Sequence, residues 1–187
     1  MRPRGGSGGA SVRILGGRWK GRRLDGPAAA RPTSGRARQA LFNLLSGRVV
    51  GARVLDLYAG TGAVGLEAVS RGAASAVLVE ADGRRLAGAL ERLGADPEEV
   101  RLIVGAASDA VDDLARRAEH FDIVFADPPY AVAPEKGGLP RVREVLGEGG
   151  IFVLQQDAGE AVPGISGLTL IDRREYGRNV FLFFGMR

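Results

Sequence analysis

The chain contains no cysteine, which removes disulfides, thiolate catalysis and Cys-ligated zinc or iron–sulfur centres from its chemistry. It has one histidine, His120, too few for a histidine-rich metal site. No apolar run approaches membrane-spanning length, and the Arg- and Gly-rich N-terminus lacks the apolar segment of a secretory leader, so a cytoplasmic location with no membrane partner is expected. Lysine is scarce: Lys20 and Lys136 stand against twenty-four arginines, whose planar forks suit phosphate. Acidic residues are nearly missing from one end. Residues 1–48 hold eleven bases and the single acid Asp25, net +10, whereas the remainder holds fifteen bases and twenty-one acids, net −6. A basic arm on an acidic body predicts a polyanionic partner gripped from one end.

What is present suffices for one sizeable core: 187 residues at 45% hydrophobic content predict one domain with a small appendage. Residues 1–11 are Gly/Arg low-complexity sequence, read as a disordered basic tail. Residues 12–48 read as a hairpin and a helix. Val12–Leu15 and Trp19–Leu24 flank Gly16-Gly17, with Trp19 either stacking on a base or anchoring the hairpin. After a loop at Pro27–Arg31, Thr33 or Ser34 caps a helix to about Ser46, where Gly47 ends it. Ala37, Leu41, Leu44 and Leu45 are expected on its apolar face, with Arg36 and Arg38 projecting elsewhere. Residues 49–187 read as the catalytic domain. Strands are predicted at 53–57, 76–80, 100–104, 121–126 and 150–156, and helices at about 62–71, 82–93, 107–118 and 138–147. That alternation predicts an α/β fold with a mostly parallel sheet. Leu168–Glu175 and Asn179–Phe184, separated by Tyr176-Gly177-Arg178, predict a closing antiparallel hairpin.

Two loops carry chemistry. Gly60, Gly62 and Gly65 spell G-x-G-x-x-G after a strand and before a helix, and Glu80 ends the next strand, where a carboxylate can accept both ribose hydroxyls of an adenosine ligand. Asp56, expected at the mouth of this loop, would repel a pyrophosphate and hold an ammonium, which favours S-adenosylmethionine over NAD. Asp127-Pro128-Pro129-Tyr130 follows the strand 121–126. It offers a carboxylate, a turn without amide donors at its two prolines, and an aromatic ring, a set able to hold a planar amino group and stack its base.

Together with Ile14-Leu15-Gly16-Gly17, the run Arg31-Pro32-Thr33-Ser34-Gly35-Arg36-Ala37-Arg38-Gln39-Ala40-Leu41-Phe42-Asn43, the glycine loop through Leu66-Glu67-Ala68 and the ending Tyr176-Gly177, this chain resembles the small-subunit methyltransferase D family of bacterial 16S ribosomal RNA guanine-N2 methyltransferases over residues 12–184. The resemblance implies a class I S-adenosylmethionine-dependent methyltransferase with a Rossmann-like sheet. It implies S-adenosylhomocysteine as product, no metal, a monomer, and 16S rRNA in a small-subunit or assembly particle as partner. Asp127 and the Pro128 carbonyl would orient the amino group, with Pro129 stiffening the turn and Tyr130 stacking on a base drawn from its helix. Asp56, Tyr58, Ala59, Gly60, Thr61, Gly62, Glu80 and Ala81 would hold the cofactor. Related enzymes often place Asn or Asp by the adenine amino group where this chain has Ala106, so backbone groups of Ala106 and Ala107 would read the base, with Asp109 as a substitute. Gly35 and Gln39 stand where the family has Asp and Glu. Arg13, Arg18, Lys20, Arg22, Arg23, Arg36 and Arg38 would meet phosphates, and Arg31 would meet phosphate or line the pocket.

Other readings remain open at this point: a DNA methyltransferase acting on adenine N6 or cytosine N4, and a non-catalytic rRNA-binding assembly factor. His120 reads as a boundary residue, Asp109, Asp112 and Asp113 as a solvated helix start, and Phe181, Phe183 and Phe184 as sheet core.

Overall fold

A computed structural model describes residues 11–25, 34–129 and 139–186. Strand β1 (Ser11–Arg13) pairs antiparallel with β2 (Arg23–Asp25), followed by helix α1 (Gly35–Leu44). The chain then alternates β3 (Arg53–Leu57), α2 (Ala63–Ser70), β4 (Ser75–Glu80), α3 (Arg84–Leu93), β5 (Val100–Val104), α4 (Ala107–Arg116) and β6 (Phe121–Ala126). A 3-10 helix (Leu139–Val145), β7 (Leu146–Asp157), β8 (Leu168–Tyr176) and β9 (Asn179–Met186) complete it. The large sheet has the order β5-β4-β3-β6-β7-β9-β8. Its first five strands are parallel, and β9 runs antiparallel to both neighbours, as the short Tyr176–Arg178 connection requires.

The inner strands are near-continuous apolar runs because both faces are covered. Val54, Leu78, Ile123 and Phe125 face a core shared with α1, α2 and α3, whereas Leu55, Val77, Val79 and Val124 face one shared with α4 and the 3-10 helix. Val12, Ile14 and Leu24 of the small hairpin belong to the first of these cores. The described parts of 12–48 therefore share their core with the sheet. Ser11 is part of β1, and the tail before it lies outside the described residues, as do residues 26–33, where a connecting loop is expected.

Three expectations need correction. The hairpin strands are three residues each, with Ile14–Arg22 forming a wide turned connection that includes Trp19. Helix α1 is capped by Ser34, whose Oγ accepts from Ala37 N at 3.2 Å, a cap worth about 1 kcal/mol. It ends at Leu44, which is 39% exposed; Phe42 and Arg38 take the buried face beside Ala37, Leu41 and Leu45. Finally, the helix expected over 138–147 is a 3-10 segment ending at Val145. Leu139, Val142 and Val145 are all fully buried, and that three-residue apolar spacing is the 3-10 period, not the α one. β7 starts immediately after it. Phe121 pairs with Leu146 but Ile123 pairs with Ile151, so residues 147–150 bulge out of the ladder where Gly149 adopts φ +68°.

Candidate functional site

The parallel register sets Asp56 opposite Leu78 on β4 and Phe125 on β6, so the loops leaving these strands emerge side by side. From β3 the chain steps outward to β4 and β5, then returns to β6 on the other flank of β3. That reversal opens a crevice at the carboxyl ends of β3 and β6, the place where open α/β sheets bind ligands. Tyr58–Gly62 leave β3 there, Glu80 and Ala81 end β4, Ala106 and Ala107 follow β5, and Asp127–Pro129 follow β6. Tyr130 lies outside the described residues, as does Arg31.

Backbone geometry shapes the glycine loop. Tyr58 turns the chain at φ 61°, and Ala59 N donates to Val79 O at 2.9 Å, drawing the loop over the end of β4. Gly60 N donates to Glu80 Oε2 at 2.7 Å, while Glu80 Oε1 receives only a long contact from Asp82 N at 3.4 Å. One carboxylate oxygen thus orders the loop and the other keeps acceptor capacity. Thr61 is buried, and Gly62 caps α2. Gly65 is where α2 presses on the sheet: a Cβ there would stand 2.1 Å from Leu78 Cδ2 and 3.2 Å from Asp56 Oδ2.

Asp56 is not at the loop's mouth. Its side chain is 1% exposed, and Oδ2 accepts from Gly65 N at 2.8 Å beneath the loop. The strand pleat points it at α2 instead of the crevice. Burial pushes its carboxyl up to about 7; the Gly65 N–H opposes that shift, and the Asp127 and Glu80 carboxylates add to it. Tyr58 is half-buried, which pushes its phenol up.

Ala106 is exposed and begins α4 without a side-chain cap, so that helix end presents backbone groups only. Asp109 is exposed in the first turn beside Ser108. A residue not picked out from sequence is Val104. It ends β5 with 62% of its surface exposed and abuts Gly83, where a Cβ would meet Val104 Cγ2 at 2.5 Å. It stands beside Glu80 in the register, at the carboxyl end of its strand.

The basic arm divides by partner. Lys20, Arg23 and Arg36 are exposed. Arg13 reaches Gly21 O at 3.3 Å within the hairpin. Arg18 pairs with Glu99 and lies 4.3 Å over the Trp19 ring, and Arg22 donates to Arg92 O at 3.1 Å, so both also tie the hairpin to the body. Trp19 packs on the core, the anchoring alternative. Arg38 corrects the phosphate-contact expectation: it is 1% exposed, and its Nε donates at 2.8 Å to Oε2 of Glu67, itself fully buried. A guanidinium so enclosed cannot meet a phosphate. Sequence alone predicts neither role: it sets Arg38 off the apolar face with Arg36, and it gives Glu67 only as part of the glycine-loop motif.

These features agree with comparisons to known proteins. The family model described as "Conserved hypothetical protein 95" matches residues 12–185. Ribosomal RNA small subunit methyltransferase D of Escherichia coli K12 is 42% identical over 126 residues, 66% of this chain and 63% of that protein, so the match spans somewhat under two thirds of the relative's length. A solved Escherichia coli structure described as a candidate methyltransferase superposes with a TM-score of 0.81 at 30% identity, covering 95% of this chain and 99% of its own. At 18% identity, a candidate methyltransferase solved with S-adenosylhomocysteine shares the fold, with a TM-score of 0.70 over 87% of this chain and 52% of its own. The sheet is thus that of the S-adenosylmethionine-dependent methyltransferases, and the chain belongs to the Conserved hypothetical protein 95 family, that of the small subunit methyltransferase D proteins.

Proposed function

We propose that this chain transfers a methyl group from S-adenosylmethionine to the exocyclic N2 of a guanine in 16S ribosomal RNA. The observation that carries the reading is that the glycine loop, ordered by Glu80 and underpinned by buried Asp56, leaves the sheet at the same end as Asp127-Pro128-Pro129. The donor set fits the cofactor's chemistry. Three carboxylates would repel a pyrophosphate and favour a cationic nucleoside. Glu80 Oε1, which accepts only a long bond from Asp82 N among the described residues, suits ribose hydroxyls, exposed Val104 suits the face of a base, and backbone groups at Ala81, Ala106 and Ala107 suit its edge. Asp56 acts from beneath the loop through its field, holding the Gly65 amide in place while it does so.

When bound, the cofactor supplies an electrophilic methyl on a sulfonium. The remaining work belongs to Asp127 and its neighbours. The guanine amino lone pair is delocalised into the ring, so the nitrogen needs orientation more than it needs a strong base. The Asp127 carboxylate and the Pro128 carbonyl accept its two hydrogens and turn the lone pair outward, with the gain coming chiefly from positioning. Asp127 takes up the proton that the alkylated nitrogen releases. Tyr130 stacks on the base, and Lys20, Arg23 and Arg36 hold the surrounding phosphates. The name of the Escherichia coli relative supports ribosomal RNA as substrate.

The test is methyl transfer from labelled cofactor to small subunits lacking the modification, with the product nucleoside mapped. Asp127→Ala is expected to lose on the order of 10²–10⁴ in turnover with cofactor binding retained. Near-normal transfer by that variant sinks the assignment.

A further inference from the structure

Helix α2 carries the cofactor loop on one end and the basic arm on the other. At its N-terminal end Gly62 closes the loop, and Gly65 N is fixed on Asp56. At its C-terminal end it grips the arm through hydrogen bonds of Glu67, Ser70 and Arg71. Ser70 Oγ donates to Gly16 O at 2.6 Å and accepts from Trp19 N at 2.8 Å, and Ser70 O accepts from Arg18 N at 2.8 Å. Glu67 Oε2 accepts from Arg38 Nε and, at 3.3 Å, from Leu15 N. Its other oxygen, Oε1, accepts from both Nε and Nη2 of Arg71, at 3.0 and 2.6 Å. Arg71 Nη2 also reaches Gln39 Oε1 at 3.2 Å. Arg38 in turn spends Nη2 on the Arg13 carbonyl in β1. Every buried side-chain polar atom among the described residues is thereby satisfied.

We propose that Glu67 and Arg38 are positioning residues that set the RNA-binding hairpin at a fixed place relative to the cofactor loop. The inference rests on the arm binding RNA, as in the reading above. A general stabilising role explains the geometry less well. Buried ion pairs return little net stability compared with apolar packing of the same volume. What this one supplies is direction: a single guanidinium links α2 to the carbonyl of β1, and a carboxylate links α2 to the amide of Leu15, so hairpin and helix cannot slide past one another. Lysine cannot reproduce that fork, because its ammonium has no second nitrogen on a rigid plane. The departure at Gln39 fits the same scheme. A neutral amide there still accepts from Arg71, while Glu67 alone carries negative charge between two guanidiniums.

The experiment compares the full-length chain with Arg38→Lys, Arg38→Ala and Glu67→Gln. It measures equilibrium RNA affinity across salt with a small-subunit rRNA fragment, cofactor affinity by calorimetry, and the folded fraction by thermal melting. For Arg38→Lys the expected result is an RNA Kd weakened roughly tenfold, with cofactor affinity unchanged and the slope of log Kd against log salt unchanged. If Arg38→Ala, which removes the charge, lowers the slope by about one, Arg38 meets phosphate itself and the proposal is overturned. If RNA affinity per folded molecule is unchanged, the network is only structural and the proposal is likewise overturned. Should Glu67→Gln not fold, Arg38→Lys, which keeps the charge, still decides. Wild-type chain that binds RNA but transfers no methyl refutes the proposed reaction while the Kd comparison stands; wild-type chain that does not bind RNA refutes both.

Discussion

The two ends of helix α2 are held by opposite means. Its N-terminal end is set by backbone: Gly62 leaves room for Leu86 of α3, Gly65 lets the helix approach Leu78 of β4, and one amide rests on Asp56. Its C-terminal end is set mainly by side chains: Glu67, Ser70 and Arg71 reach out to residues of the arm 29 to 54 positions away in sequence. The first arrangement comes from a contiguous motif and a neighbouring strand. The second exists only once the arm has docked. A single glycine, Gly17, belongs to the second end but acts like the first, since a Cβ there would stand 1.6 Å from Ser70 O at φ +74°.

Replacing these glycines should separate the two ends. Gly17→Ala meets a backbone oxygen that no rotamer change can move, so it is expected to cost about 1–2 kcal/mol for the left-handed backbone and about 1–3 kcal/mol for the overlap. RNA affinity should fall with cofactor affinity kept. Gly65→Ala meets a methyl of buried Leu78 and the Asp56 carboxylate and should cost about 1–3 kcal/mol, with the opposite signature. Binding isotherms for both ligands on each variant check this; equal losses of both ligands would mean that the two ends are not distinct.

A smaller effect concerns Asp56. Its carboxyl sits at about 7 in the fold against an ordinary 3.8, so between those values the folded chain holds a proton that the unfolded chain has released. Stability therefore declines as pH rises across that window, and Asp56→Asn should remove the decline in melting curves. A cationic ligand favours the carboxylate. Cofactor affinity should accordingly rise with pH by up to about tenfold per unit below 7 and level off above it, a dependence that Asp56→Asn should flatten. A pH-independent affinity in the unsubstituted chain would place the cofactor's charge away from Asp56.

The arm offers the smallest effects. Arg23→Ala and Arg36→Ala should each lower the salt slope of RNA binding by about one, whereas Arg18→Ala, whose guanidinium already pairs with Glu99, should lower it less. Ser34→Ala should cost about 1 kcal/mol in thermal stability through the lost cap, with the slope unchanged.

The glycine loop, the five parallel strands and the closing hairpin were legible because each depends on a short run: alternating periodicity, glycines at fixed spacing, a three-residue connection. The register pairs Asp56 with Phe125 and Leu57 with Ala126, so the turn that begins at Asp127 leaves the sheet at the same end as the glycine loop. The 3-10 segment was legible in principle, since Leu139, Val142 and Val145 repeat every three residues, but a proline at 140 and a nearby glycine pair masked the difference from an α-helix. The inward turn of Asp56 was not legible. A strand pleat has two sides, and which side faces α2 is fixed by packing of Leu78 against Gly65.

By itself, the sequence determined the order of elements, the parallel sheet and the loops that leave the carboxyl ends of its strands, because local periodicity and backbone freedom decide these. Only the tertiary structure decided which arginines of a uniformly basic arm remain for a polyanion. Arg38 looks like Arg36 in sequence, two positions apart on one helix. One faces solvent and the other is enclosed with Glu67, because burying a charge demands a partner, and that partner comes from a helix 29 residues away.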